Sequence, residues 1–308
     1  MATRNFVPRA DGEGTLGKES KHWKGAYVNE VHAESVAATS AVLTSLTLNG
    51  KDADIVADSA PAHNSIYRGK DLTDAWKAGT VSARIQDGTF HGIFVGDYIN
   101  MPIAVDGVTY QVKWEVADLD YYLHTGDQEC TAHHALMFPS KTIQTNVQMN
   151  STDTTAGGYV GSAMWKTVIP KYSTAIQAAF GSDHVLKHRE LLTDSLNTTV
   201  ASAGGFGWTG CAYWGSAPWY DTLANIPNEV MIYGCAPASS GPWDVGNASR
   251  QLAIYRFKHF SEGRLWFWLR AVASSALFAF AHGSGEASAN GASYAAANGG
   301  VRPYFLLH

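Results

Sequence analysis

The sequence predicts an α+β protein in which a slender N-terminal stem, residues 1–60, precedes a head of antiparallel strands and short helices, residues 61–308. Three observations predict it. The first sixty residues are too poor in large apolar side chains to close a core alone. Residues 103–116 alternate apolar and polar positions around an Asp-Gly pair. Residues 164–180 place apolar side chains four apart.

In the stem, Phe6, Leu16, Trp23, Tyr27, Val28, Val31, Val36, Val42, Leu43, Leu46 and Leu48 are spread thinly among Ala, Ser, Thr, Gly and charges. So lean a segment is disordered or shares a core with copies of itself. Val42 to Leu48 is β-prone and runs into the turn pair Asn49-Gly50. Just upstream, Val28, Val31, Ser35, Ala38 and Val42 follow the three-four spacing of a helical bundle. Both readings stay open, and both favour intertwined chains over a solitary fold.

Composition narrows the function classes. A net charge of −5 gives no electrostatic case for nucleic acid or an anionic membrane. The 30 glycines and the 10 Trp, 14 Tyr and 12 Phe suit strands, turns and aromatic surfaces. Cys130, Cys211 and Cys235 lack metal-ligand spacing and read as buried thiols, with a Cys211–Cys235 bridge left open. No apolar signal core follows Met1, and the apolar stretch 265–281 is interrupted by Arg270 and serines, so no membrane insertion is expected.

Along the head, residues 51–70 read as a linker, Asp71 to Trp76 as a short capped helix, and Thr80 to Ile99 as strand-like segments between glycines. Ile103 and Val105, the turn Asp106-Gly107, then Val108, Tyr110, Val112, Trp114 and Val116 predict a β-hairpin with one buried face. Residues 118–160 are polar and turn-rich. Met164, Val168, Tyr172, Ile176 and Phe180 form a helical stripe that Pro170 either kinks or divides, with Gly181 as its stop. His188 to Leu196 reads as a further short helix. Asn228 to Tyr233, Gln251 to Phe257, Leu265 to Arg270 and Val301 to Leu307 read as strands.

Catalytic and metal patterns are weak. His184 and His188 are four apart but lack the Glu of H-E-x-x-H, and the adjacent pair His133-His134 points to opposite faces of a strand. Cys211 has no base assignable by sequence. Gly283-Ser284-Gly285 lacks the spacing and context of a nucleophile elbow. Asp118, Asp120, Asp127 and Glu129 could equally be any acidic loop.

Two sets of residues resemble known families. Gly14-Thr15-Leu16-Gly17 with Trp23 and Ala26-Tyr27-Val28 resembles an element near the start of many phage fibre proteins, where it belongs to a trimeric stem. Over residues 64–308, a longer series looks like a domain common in phages and prophages of Gram-positive and gut bacteria. It comprises Thr125-Gly126-Asp127, Glu129-Cys130-Thr131, His133-His134, Met149-Asn150-Ser151, residues 157–162, residues 188–192, Tyr233-Gly234, Asp244-Val245-Gly246, Trp268-Leu269-Arg270 and residues 300–303. The closing pair, W-x-L-R then G-V-R-P, is similar to the ending of C-type-lectin-like domains. That resemblance implies a twisted antiparallel fold with helices at 162–180 and 188–196, and a ligand face built from the C-terminal loops. The calcium-binding E-P-N or Q-P-D with W-N-D is missing; only Trp243-Asp244 stands, so no cofactor is expected.

Together these imply a homotrimeric, non-enzymatic virion protein, assembled in the host cytoplasm, whose stem joins other virion proteins and whose head binds a bacterial surface glycan or protein. The alternative is a head-fibre or baseplate decoration protein. The aromatic run Trp208–Tyr220 reads as a recognition platform or as packing. The segment 271–300 is rich in Ala, Ser and Gly, so its exposed face should tolerate substitution. Phe278 and Phe280 are expected inward. Expected receptor contacts are Trp243, Ala279, His282, Ser284, Glu286, Ser288, Asn290, Ser293, Tyr294 and Asn298; Trp268, Arg270 and Arg302 are expected to be structural.

Overall fold

The computed structural model describes residues 46–48, 51–53, 58–195, 218–239, 250–257 and 262–308, and its backbone divides into Met1–Ile55 and Val56–His308. In the first unit, β1 (Leu46–Leu48) and β2 (Lys51–Ala53) form an antiparallel hairpin in which Leu48 pairs with Lys51. The β-prone reading holds there, and the pair Asn49-Gly50 lies outside the described residues. The Trp23–Tyr27 element and the helical spacing over Val28–Val42 lie outside the described residues.

The second unit begins earlier than the expected boundary at residue 61, and the stretch read as linker is partly core. In α1 (Ala60–His63), His63 is buried, and Asn64 beyond it bonds Asp118 and the backbone of Leu119. The short helix α2 (Thr73–Lys77) forms as expected, its start tied by the Asp71 carboxylate to the Thr73 N–H. The strand-like reading of Thr80–Ile99 is corrected. It holds α3 (Thr80–Gln86), with Val81 and Ile85 buried at helical spacing, and only its end enters β3 (Tyr98–Asn100).

β4 (Ile103–Val105) and β5 (Val108–Tyr110) form the expected hairpin, with Asp106 and Gly107 both at positive φ (51° and 78°), as a type I′ turn requires. The single buried face is corrected: Val108 is 51% exposed, and Val112, Trp114 and Val116 lie beyond the hairpin. Trp114 and Val116 belong to β6 (Lys113–Leu119), which is buried on both faces. So is β7 (Ala135–Pro139), a strand inside the region read as turns. A strand covered on both sides shows no alternation, so no period-two signal marks it.

β8 (Gln144–Thr145) and α4 (Gly158–Gly161) lead to a π-helical turn, Met164–Val168, that runs into α5 (Ile169–Phe180). Pro170 does not break the run: it sits where the π-helical turn passes into α5, and the backbone stays helical up to it, through Val168 and Ile169. Met164, Tyr172, Ile176 and Phe180 are buried, and Gly181 ends the helix at φ 93°. The second expected helix is corrected. His188–Leu191 is strand β9, paired with β10 (Trp219–Thr222). Its inward side chains, His188 and Glu190, are polar, so hydrophobic periodicity could not reveal it. After β11 (Ala224–Asn225), the expected strand over 228–233 is α6 (Glu229–Tyr233), capped by Asn228 and closed by Gly234 at φ 78°. The expected strand over 251–257 is a 3₁₀ turn, Ala253–Arg256. β12 (Trp266–Val272), β13 (Leu277–Ala281), β14 (Ala287–Gly291), β15 (Gly299–Val301) and β16 (Tyr304–Leu307) complete the chain.

Two five-stranded sheets result, ordered β11-β16-β7-β6-β3 and β14-β13-β12-β15-β8, antiparallel except for the β12–β15 pair. Alternate residues feed two cores. Trp114, Met137 and Phe305 join α5 in one, with the Phe180 ring 4.8 Å from Phe305 and 6.0 Å from Trp114. Leu136, Phe138 and Leu306 meet Phe267 and Leu269 of the other sheet in the second, where Phe138 and Phe267 stack edge-to-face at 6.0 Å. Each fully buried Phe or Leu contributes roughly 1.5–3 kcal/mol. No helix among the described residues is long and apolar enough to cross a membrane.

One buried histidine gives the fold a pH dependence. His134 Nδ1 donates to the Ala132 carbonyl (2.9 Å), and its Nε2 accepts the Tyr122 N–H (3.0 Å). Burial therefore drives its pKa down to about 3. The unfolded chain takes up this proton near 6.5, and the folded chain does not. Stability from neutral His134 is present above pH 6.5 and is lost as pH falls towards 3. By pH 5 the loss is about 2 kcal/mol. In urea melts, the stability gap between wild type and His134→Gln is expected to shrink from pH 7 to pH 5; a constant gap would rule out this linkage.

Candidate functional site

The C-terminal face is built on β12–β14. Across β13 and β14, Phe280 pairs with Ser288 and Phe278 with Asn290, so these side chains share one side of the sheet. His282 follows on that side by alternation. Phe280 lies 5.4 Å from Trp266 and 6.1 Å from Trp268 and His282. The 41% exposed Tyr294 caps this cluster, its ring 5.6 Å from Trp266. The aromatic rings beneath hold Tyr294 in place, so it presents contact area at little entropic cost.

The loops around the cluster are pinned at their backbones. Trp266 bonds Asn298 twice: its indole donates to Oδ1 (3.0 Å) and its N–H to the Asn298 carbonyl (3.1 Å). Asp153 accepts the N–H (2.9 Å) and hydroxyl (2.7 Å) of Ser293, and these bonds lower its pKa. Tyr233 from α6 donates to the Glu286 carbonyl (2.9 Å). A Cβ on Gly299 would stand 2.1 Å from the Trp266 ring, and one on Gly291 2.4 Å from Asp153. The backbone is fixed, and the Ser293 and Asn298 side chains help fix it, while Glu286 and Tyr294 project outward.

The expected contacts divide accordingly. Ser284, Glu286, Tyr294 and Asn298 are exposed, and His282, Ser288, Asn290 and Ser293 are partly exposed on the same run of chain. Ala279 is corrected: it is fully buried in the second core, on the opposite side of β13 from Phe278 and Phe280. The His282 ring packs against Phe280 on the aromatic side and keeps its side chain 41% exposed. Trp243 lies outside the described residues, as does the aromatic run up to residue 217.

The residues expected to be structural are buried. Trp268 donates its indole N–H to the Val147 carbonyl (2.7 Å). Arg302 bonds the carbonyls of Pro139 (2.7 Å) and Ser140 (3.3 Å) and the Tyr255 hydroxyl, between the rings of Phe138 and Phe267. Arg270 reaches the Tyr304 hydroxyl (2.8 Å) and the Glu190 carboxylate. Glu190, to which sequence reasoning assigns no role, also accepts from Tyr304 (2.7 Å) and Tyr122 (3.1 Å) and lies 3.0 Å from His188. All five groups are sealed from solvent, which makes this a buried polar tie rather than a reaction site.

The weak catalytic patterns separate in space. Asp118 pairs with Arg250, Asp120 with His133, Asp127 with Arg189 and Glu129 with His124. His184 ends a 3₁₀ turn and His188 sits on β9, so they share no helical face. His282 Nδ1 meets the Ser284 hydroxyl at 2.6 Å and Glu286 at 4.0 Å. Hydroxyl and acid thus meet the same ring nitrogen, so no acid–base–nucleophile relay forms. Cys130 is buried as expected, but Cys235 is exposed. Among the described residues no cluster of three His, Cys, Asp or Glu could hold a metal.

Comparison with family models, curated proteins and solved structures found no match to this chain.

Proposed function

We propose that this chain is a bacteriophage virion protein of the fibre type, whose head attaches the particle to a molecule of the bacterial surface through the Tyr294-centred face. The observation that carries the reading is the pairing of a pinned backbone with outward Ser, Glu, Asn and Tyr side chains over residues 284–298. Such a surface binds by contact, and its outward residues can change without disturbing the fold. The fibre-like N-terminal motif and the W-x-L-R…G-V-R-P ending support the virion assignment and the lectin-like cast of the head. The lean stem supports a homotrimer, in which three weak sites act by avidity.

Deleting residues 61–308 from the protein in its particle tests the proposal. Intact particles that no longer adsorb to host cells are the expected result. Failed particle assembly would instead make the chain a structural decoration protein. Adsorption at the undiminished rate would overturn the attachment role.

A further inference from the structure

A second surface feature lies away from the aromatic cluster. A cleft of ≈ 460 Å³ runs along α5 beside the β10–β11 segment, within the roughly 300–1,000 Å³ typical of small-molecule sites. Its origin is visible in the helical period. The stripe through Tyr172, Ile176 and Phe180 faces the core, and the neighbouring stripe, Trp165, Ile169, Ser173 and Gln177, lines the cleft. Trp165 is half-buried, held against Tyr159 (5.6 Å) and Tyr220 (6.1 Å). It gives the cleft a fixed aromatic wall.

The polar groups point to a ligand. Thr222 is 3% exposed and lines the cleft, and its hydroxyl has no hydrogen-bond partner. That hydroxyl is itself closed off from solvent behind the cleft wall. Ser173 and Gln177 also have free side-chain polar groups among the described residues. The charge balance runs against that of the whole molecule. Lys166 and Lys187 line the cleft with a single acid, Asp221, which Lys187 and Arg189 already share at 3.0 Å each. Among the described residues Lys166 thus has no counter-charge, on a chain of net charge −5.

We propose that this cleft is a subsite for an acidic sugar. The apolar face of a pyranose ring lies on Trp165 and Pro170, its hydroxyls meet Ser173 and Gln177, and its carboxylate pairs with Lys166. An aromatic wall, several hydroxyl and amide groups and one unpaired cation match that chemistry. The site is independent of the Tyr294-centred face and stands or falls separately.

Trigalacturonic acid and maltotriose, titrated into the full chain and followed by saturation-transfer NMR, test the assignment. Trigalacturonic acid is expected to bind in the millimolar range or tighter, with maltotriose weaker by about ten-fold or more. Lys166→Glu, checked by circular dichroism for an intact fold, is expected to weaken the acidic sugar by about ten-fold or more. Gln177→Ala provides a second, uncharged perturbation and is expected to weaken both sugars. Tyr294→Ala should leave this binding unchanged. Absence of saturation transfer to either sugar, equal binding of the two, or indifference to Lys166→Glu would each overturn the proposal.

Discussion

Replacing Arg270 by methionine is expected to destabilise the head by about 3–5 kcal/mol, a fall in melting temperature of roughly 10 °C. The guanidinium on β12 is the cation nearest the Glu190 carboxylate, and both are sealed from solvent. Burial alone would raise the Glu190 pKa, but Arg270, His188 and the Tyr304 hydroxyl override it and hold the carboxyl at about 2. The intact tie therefore favours folding above the ordinary carboxylate range near 4.5, and that contribution is lost as pH falls towards 2. Without Arg270 the carboxylate stands unpaired in the core, and its pKa rises. The deficit of Arg270→Met should then narrow in acid, and Glu190→Gln added to it should recover part of the loss at neutral pH. A change below about 1 kcal/mol at pH 7 would show that the pair is not a keystone of the fold.

Gly283→Ala is expected to cost about 3 kcal/mol and to distort the 282–286 turn. A Cβ there would stand 1.8 Å from the Arg264 carbonyl oxygen and 2.6 Å from its carbon. Both obstacles are backbone, so no rotamer change relieves them; the turn or the Glu262–Arg264 segment must move. Ser284→Ala, one residue on and exposed, is the control and should change stability by less than about 0.5 kcal/mol. Denaturant melts of the two variants compare them directly. Equal stabilities would mean that the turn is free to shift, and the picture of a pinned loop would fail.

The sequence was legible where one physical rule dominates. The β4–β5 hairpin was readable because Asp106-Gly107 demands a particular turn, and α5 because its buried stripe keeps a strict four-residue spacing. Two strands buried on both faces, β6 and β7, lack alternation, so the first was read as half of a hairpin and the second as turns. β9 was hidden because its inward residues are His188 and Glu190, which make sense only beside Arg270 and Tyr304, more than a hundred residues away in the case of Tyr304. For α6 the signals were present, an Asn cap and a closing Gly234, but Val230, Met231 and Ile232 suggested a strand instead. The exposed run at 284–298 lies inside the segment 271–300, whose small-residue composition predicts a tolerant face. Ala279 was misplaced with it, because composition does not say on which side of β13 a small residue falls. The α5 cleft has no sequence signal, because Trp165, Ser173 and Gln177 become a wall only when β10 and β11 are brought alongside.

The attachment reading is tested most directly by cell binding of a face variant whose fold is intact. The full chain, fluorescently labelled, is mixed with a panel of intact Gram-positive and gut bacteria, beside Tyr294→Ala combined with Glu286→Ala and Ser284→Ala. Wild type is expected to bind at least one strain, and the variant to lose about ten-fold or more of that binding. Its melting temperature should stay within a few degrees of wild type. Undiminished binding by a folded variant would contradict the role assigned to this face.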